Sequence, residues 1–133
     1  MPDHDGIPPS RQRLGLLLAG AGPRVRRQLA PPDGDVEPLA RLARRGVPEV
    51  VIRTARRLAR REAVDLLEVV HRAGWRWLVP EDGEFPALLR TVSDPPLGLF
   101  VKGTLCRRPV VAVVGSRAAT PYGRQVARVL GEE

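Results

Sequence analysis

The residues best suited to chemistry form a short loop close to the C-terminal end of the sequence. Gly115, Ser116 and Arg117 follow the apolar run "VVAVV" at 110–114, and Thr120 stands three residues beyond Arg117. Glycine permits a tight turn, a serine hydroxyl donates a hydrogen bond, and a guanidinium binds phosphate oxygens through two parallel hydrogen bonds. The spacing therefore predicts a phosphate-binding loop whose contacting residues are Gly115, Ser116, Arg117 and Thr120.

The loop does not fit the common nucleotide-binding patterns. The dinucleotide fingerprint needs a second glycine where Arg117 stands and a third where Thr120 stands, and no Gly-Lys-Ser/Thr follows for a P-loop. NAD and ATP are therefore not expected, and no cofactor is predicted. In an alternative interpretation, Arg117 pairs with a carboxylate and Ser116 only caps the chain locally.

The segments around the loop predict the opening strand–helix unit of a parallel sheet. Residues 110–114 read as a buried strand, Thr120 as a helix N-cap and Pro121 as the first helical residue. The side of this helix that faces the sheet is formed by Val126, Val129 and Leu130. The free amides and the dipole of its first turn favour an anion beside the loop.

The N-terminal half predicts a flexible arm followed by a helical module. Residues 1–9 have no apolar period, and helices are predicted at 10–19, from Pro23, and at 37–45, 48–60 and 62–73. The apolar face of the first helix is formed by Leu14, Leu17 and Leu18.

A Gly-x-Gly turn, Gly20 to Gly22, separates the first two helices of this module. It resembles a helix-hairpin-helix, in which hairpin amides hold a backbone phosphate. A plain corner between two helices, with glycines for the turn, is the favoured alternative.

The charge of the chain favours an anionic partner. The net charge is +7, and the segment 41–61 contains eight arginines and one acid, Glu49. Four arginines at helical spacing form a possible secondary basic face that could lie along a phosphate backbone. They are Arg53, Arg56, Arg57 and Arg60. The alternative is a solvated helix side that downstream acids partly neutralise.

From residue 74 onward the pattern changes from helices to short strands. "WRWLVP" predicts a half-buried strand in which Trp75 and Trp77 share a face and pack, rather than stack on bases. A turn and a short helix follow, then an extended Asp-Pro-Pro segment that begins at Asp94, and a strand that ends at Gly103.

These motifs, in this order, closely resemble the DNA-processing protein A family (DprA, also called Smf) over roughly residues 74–131. The matching residues are Phe85, Pro86, Leu88, Leu89, Asp94, Pro95, Pro96, Lys102, Gly103, Gly115, Ser116, Arg117, Thr120, Pro121, Tyr122 and Gly123. The resemblance implies an α+β to α/β fold. A helical module, sterile-alpha-motif-like (SAM-like) or helix-hairpin-helix-like, spans 10–73, and 74–133 begins an extended Rossmann fold. Because that fold continues beyond Glu133 in the family, the chain is expected to be an N-terminal portion.

The resemblance also implies a function. Family members bind single-stranded DNA, protect incoming DNA and load the RecA recombinase during natural transformation, the uptake of DNA by competent cells. No catalysis, metal or cofactor is implied, a homodimer is expected at full length, and Arg117 is the phosphate-contacting residue.

Two other functions stay open. The chain could be part of a nucleotide phosphoribohydrolase resembling the "Lonely Guy" (LOG) family, which also opens with a strand, a Gly-Ser loop and a helix. It could instead be a helical protein-interaction module. The sequence contains no run of 18 apolar residues that would predict a membrane span, and it has no signal-peptide pattern. Its single cysteine excludes an internal disulfide framework. We therefore expect a cytoplasmic protein.

Overall fold

The computed structural model describes residues 6–29, 37–106 and 108–132. They form α1 (Pro9–Leu18), α2 (Pro23–Arg27), α3 (Pro38–Arg44), α4 (Glu49–Arg60), α5 (Glu62–Arg72), β1 (Trp75–Leu78), α6 (Ala87–Arg90), β2 (Leu99–Lys102) and α7 (Pro121–Glu132). The predicted helices are confirmed to within one or two residues at their ends, and the arrangement is α+β. Most of the predicted flexible arm, residues 1–5, lies outside the described residues. The SAM-like and Rossmann features stay predictions.

Glycine ends α1 through a left-handed residue. Gly20 has φ of +69°, its N–H donates to the carbonyl of Leu17, and the N–H of Ala21 donates to the carbonyl of Leu16, both at 3.0 Å. This is the double hydrogen bond of a Schellman C-cap. Because it uses two amides of the turn, those amides are not available to a phosphate, which favours the plain corner over a helix-hairpin-helix.

The predicted apolar face of α1 is wrong in part. Leu14 is fully buried, but Leu17 and Leu18 are each 41% exposed, and Leu16 is buried in their place. The reason is tertiary, since α1 packs against α3, α4 and α5 and is therefore buried on several sides along its middle. At Gly15 the approach to α4 is so close that an added Cβ would lie 2.8 Å from the Cβ of Ala59.

The main hydrophobic core joins the helices to a residue from the C-terminal half. It consists of Leu16, Ala21, Leu29, Leu39, Leu42, Val47, Ile52, Ala55 and Leu97. Leu97 follows the Pro-Pro segment and is only 3% exposed. The segment after residue 74 therefore contributes to the core of the helical module.

The two strands form an antiparallel pair with a small core of their own. Trp75 lies opposite Lys102, and Trp77 lies opposite Phe100. Trp77 packs as predicted, because its indole N–H donates to the carbonyl of Ser10 at 3.0 Å and its ring lies 4.7 Å from that of Phe100. Trp75 remains 40% exposed, so packing accounts for only part of its surface.

The strand predicted at 110–114 is not present. Val111 is 91% exposed and Val114 is 88% exposed, and the segment has no regular secondary structure. A strand is defined by hydrogen bonds to a neighbouring strand, and the sheet of the described residues contains only β1 and β2. Helix α7 begins at Pro121 as predicted, but none of its described residues is buried.

An ion pair ties the Asp-Pro-Pro segment to α2. Arg26 donates from Nε to Oδ1 of Asp94 at 3.0 Å and from Nη2 to Oδ2 at 2.5 Å. These hydrogen bonds from the guanidinium hold the pKa of Asp94 below its ordinary value. The side chains are 28% and 38% exposed, so solvent and salt weaken the attraction.

We expect the pair to make stability depend on pH in the acid range. Since the pKa of Asp94 is lower in the folded than in the unfolded chain, its stabilisation is complete above the unfolded value and is lost as pH falls through the folded value. Asp94→Asn should therefore unfold at lower urea concentration than the wild type at neutral pH, and the difference should shrink on acidification and at high salt. A difference that stays constant with pH would contradict this role.

Candidate functional site

Two side-chain hydrogen bonds shape the predicted phosphate loop. Ser116 accepts the N–H of Ala118 at its hydroxyl oxygen, at 3.1 Å. Thr120 accepts the N–H of Gly123 at 3.1 Å and so caps α7. The Ser116 hydroxyl still has its own proton to donate, because it serves only as an acceptor in this turn.

The start of α7 offers fewer amides to an anion than the sequence predicts. Pro121 has no N–H, and Thr120 occupies the N–H of Gly123. Among the first three residues of the helix, the N–H of Tyr122 is left for a ligand. An anion at this position would therefore depend mainly on side chains, the Ser116 hydroxyl and the Arg117 guanidinium.

Arg117 lies at the exposed tip of this loop. Within the described ranges no carboxylate lies within salt-bridge distance of its guanidinium, and Gly115, Ser116 and Thr120 are exposed as well. The alternative interpretation expected Ser116 to cap the chain locally and Arg117 to pair with a carboxylate. The described structure contains the Ser116 cap but not the ion pair. A cation in this position is accessible to a phosphate from solvent.

The predicted secondary basic face lies on another element. Helix α4 packs against α1, α3 and α5, with Ile52, Ala55 and Ala59 buried. The side chains of Arg53, Arg57 and Arg60 are exposed, whereas Arg56 is half-buried. Arg56 and Arg60 already interact with other groups of the chain, so the four arginines differ in how readily they can meet a ligand.

A groove that the sequence did not indicate lies between the start of α1, α5 and β1. Its volume is about 500 Å³, and Arg11, His71, Trp75 and Trp77 contribute to its lining. The strand pattern of "WRW" placed the two indoles on one face, but nothing in the sequence indicated that α1 and α5 would form walls beside them.

Comparison with known proteins agrees with the motifs. Residues 76–133 match the family described as DNA recombination-mediator protein A. Two curated proteins of Mycobacterium tuberculosis, from strains CDC 1551 and H37Rv, both named DNA processing protein DprA, are each 39% identical over 87 residues. The resemblance to the DNA-processing protein A family is therefore confirmed for this part of the chain.

The extent of these matches is limited. The alignment with each mycobacterial relative covers 52% of this chain and 22% of the relative. No solved structure matches the chain significantly. The described residues contain no group of three His, Cys, Asp or Glu that could hold a metal ion, and none of the helices in the described ranges is long and apolar enough to cross a membrane.

Proposed function

We propose that the chain is part of a DNA-binding protein that acts in recombination and prefers single-stranded DNA. The observation that carries the proposal is the exposed guanidinium of Arg117, which stands without a carboxylate partner in the described structure on a loop of the DprA type. A guanidinium in this setting binds a backbone phosphate through two hydrogen bonds. The net charge of +7 strengthens the attraction of the whole chain for a polyanion.

The local geometry supports a surface contact rather than an enclosed nucleotide site. Ser116 and the N–H of Tyr122 are the donors that flank Arg117, and all belong to an exposed segment. Such a loop can bind one phosphate of a continuous strand, because the rest of the strand remains free to follow the surface. The proposal includes no catalytic step, cofactor or metal.

The family resemblance supports a wider role. We propose that the complete protein protects incoming single-stranded DNA in the cytoplasm, loads RecA onto it during natural transformation, and acts as a homodimer. The description of the matching family as a DNA recombination-mediator protein supports the recombination part of this role, and the mycobacterial relatives are named as DNA processing proteins.

The test is fluorescence anisotropy with a labelled single-stranded oligonucleotide, a duplex of the same sequence and a salt titration. We expect tighter binding of the single strand and an affinity that falls steeply with salt, since each phosphate contact releases counterions. A folded sample that binds neither DNA at low salt would refute the proposal for this chain. Release of a free base from a nucleoside monophosphate would instead favour the phosphoribohydrolase.

A further inference from the structure

One aromatic side chain of the sheet is not accounted for by packing. Trp75 is 40% exposed on β1, whereas Trp77 two residues later is held by Ser10 and Phe100. The ammonium of Lys102 lies 5.9 Å from the centre of the Trp75 ring. Because this ammonium lies over one face of the indole, the opposite face is the one that can serve as a stacking surface, with a positive charge close by.

The groove beside Trp75 is lined by groups that suit a nucleotide. Glu68 contributes a carboxylate to the lining of the groove. The guanidinium of Arg72 pairs with this carboxylate at 3.1 Å and offsets its negative charge. Arg11 lines the same groove, and no carboxylate of the described chain pairs with its guanidinium. The groove therefore combines an apolar aromatic wall with cationic groups at its edge.

We propose that this groove binds a base of single-stranded nucleic acid, stacked on Trp75, with the adjacent phosphates near Arg11 and Lys102. The inference rests on the proposed function and adds a second contact on a different element from the Arg117 loop. Stacking on an aromatic ring accepts any base, because every base has a π-face, so the site contributes affinity without sequence preference. A purely apolar peptide would gain nothing from the two cations, so the charge favours the nucleic acid.

The experiment compares an oligothymidylate with an abasic strand of the same length and charge. Trp75→Leu keeps an apolar side chain but removes the stacking surface, and Trp75→Phe restores an aromatic ring. We expect the leucine variant to bind oligothymidylate about fivefold more weakly or worse, the lower end of one base–aromatic stack, and to bind the abasic strand as the wild type does. The phenylalanine variant should recover most of the loss.

A matched control and a measurement on the wild type keep the result independent of folding. Leu88→Ala removes an apolar side chain that is 83% exposed on α6, away from the groove lining, and should change neither affinity. The tryptophan fluorescence of the wild type should be quenched by oligothymidylate and not by the abasic strand.

The outcomes separate the two proposals. A wild type that binds no single strand overturns both. A wild type that binds oligothymidylate and the abasic strand equally, without fluorescence quenching, overturns the groove alone. If the wild type and the Trp75→Leu variant bind oligothymidylate equally well, the groove proposal is overturned as well. That result would hold even if Arg117 is essential for binding.

Discussion

Replacing Arg117 by alanine is expected to weaken binding of single-stranded DNA by about 1.5–3 kcal/mol, the contribution of a hydrogen bond to a charged group. The guanidinium is exposed at the loop tip and has no carboxylate partner in the described structure, so its removal costs the folded chain little. The loss should therefore fall on binding. Fluorescence anisotropy at low salt, on the chain and on the complete protein, measures this loss of affinity. The affinity of Arg117→Lys should lie between those of the wild type and the alanine variant, because lysine keeps the charge without the paired hydrogen bonds.

The control for this result is a variant in which the secondary basic face is neutralised, with all four of its arginines replaced by glutamine (Arg53, Arg56, Arg57 and Arg60). Its effect should be smaller than that of Arg117→Ala alone, because two of these side chains already have partners within the chain. A larger loss from the four-glutamine variant would place the main DNA contact on α4. Unchanged affinity of Arg117→Ala at low salt would remove the loop from the site.

The largest loss of stability is expected from Glu81→Gln. The side chain of Arg13 is only 3% exposed and makes three hydrogen bonds to this carboxylate, from Nε to Oε2 at 2.9 Å and to Oε1 at 3.0 Å, and from Nη2 to Oε1 at 2.6 Å. The glutamine leaves a buried cation without a counter-charge, and removal of one partner from a buried ion pair costs about 3–5 kcal/mol. Since Glu81 is itself 29% exposed, water offsets part of this, and we expect a loss near the lower end of that range, about 3 kcal/mol.

A second ion pair of the same chain provides the matched control for this measurement. Arg76 and Glu84 pair at 2.8 Å, but their side chains are 40% and 51% exposed. Glu84→Gln should therefore cost less than about 1 kcal/mol, as exposed pairs do. Urea unfolding followed by circular dichroism gives both values. Equal losses in the two variants would mean that burial does not set the strength of the Arg13–Glu81 pair.

Local chemistry made most of the helices predictable from the sequence. Proline at the first helical position marks the start of α2 at Pro23 and of α7 at Pro121, and a glycine in the left-handed conformation ends α1 at Gly20. Each of these signals acts within a few residues, so it can be recognised without knowledge of the fold.

Features that depend on distant neighbours could not be predicted in this way. The exposure of Leu17 and Leu18 follows from how α1 is surrounded, and the pairing of Arg13 with Glu81 joins residues 68 positions apart. The strand expected at 110–114 would need neighbouring strands to bond with, which the described residues do not supply. The composition of an apolar segment shows that it can form a strand but not whether a partner is present.

The candidate sites likewise contain features that local sequence predicts and features that depend on the fold. The positions of Ser116 and Thr120 in the loop follow from local capping, and the sequence predicted the cap on α7. The groove at Trp75 needed α1 and α5 to be placed beside β1. The spacing of Trp75 and Trp77 alone could indicate only that the two indoles share a face.

The position of Leu97 bears on whether the helical segment could be transferred to another protein. The predicted boundary at residues 73 and 74 separates the helices from this leucine, which fills their core, and from Glu81, which neutralises Arg13. A segment excised at that boundary would expose the apolar surface that Leu97 covers and would lose the counter-charge of Arg13. We therefore expect a fusion or exchange to preserve the helices best when it also includes the residues up to β2, because that unit keeps both Leu97 and Glu81.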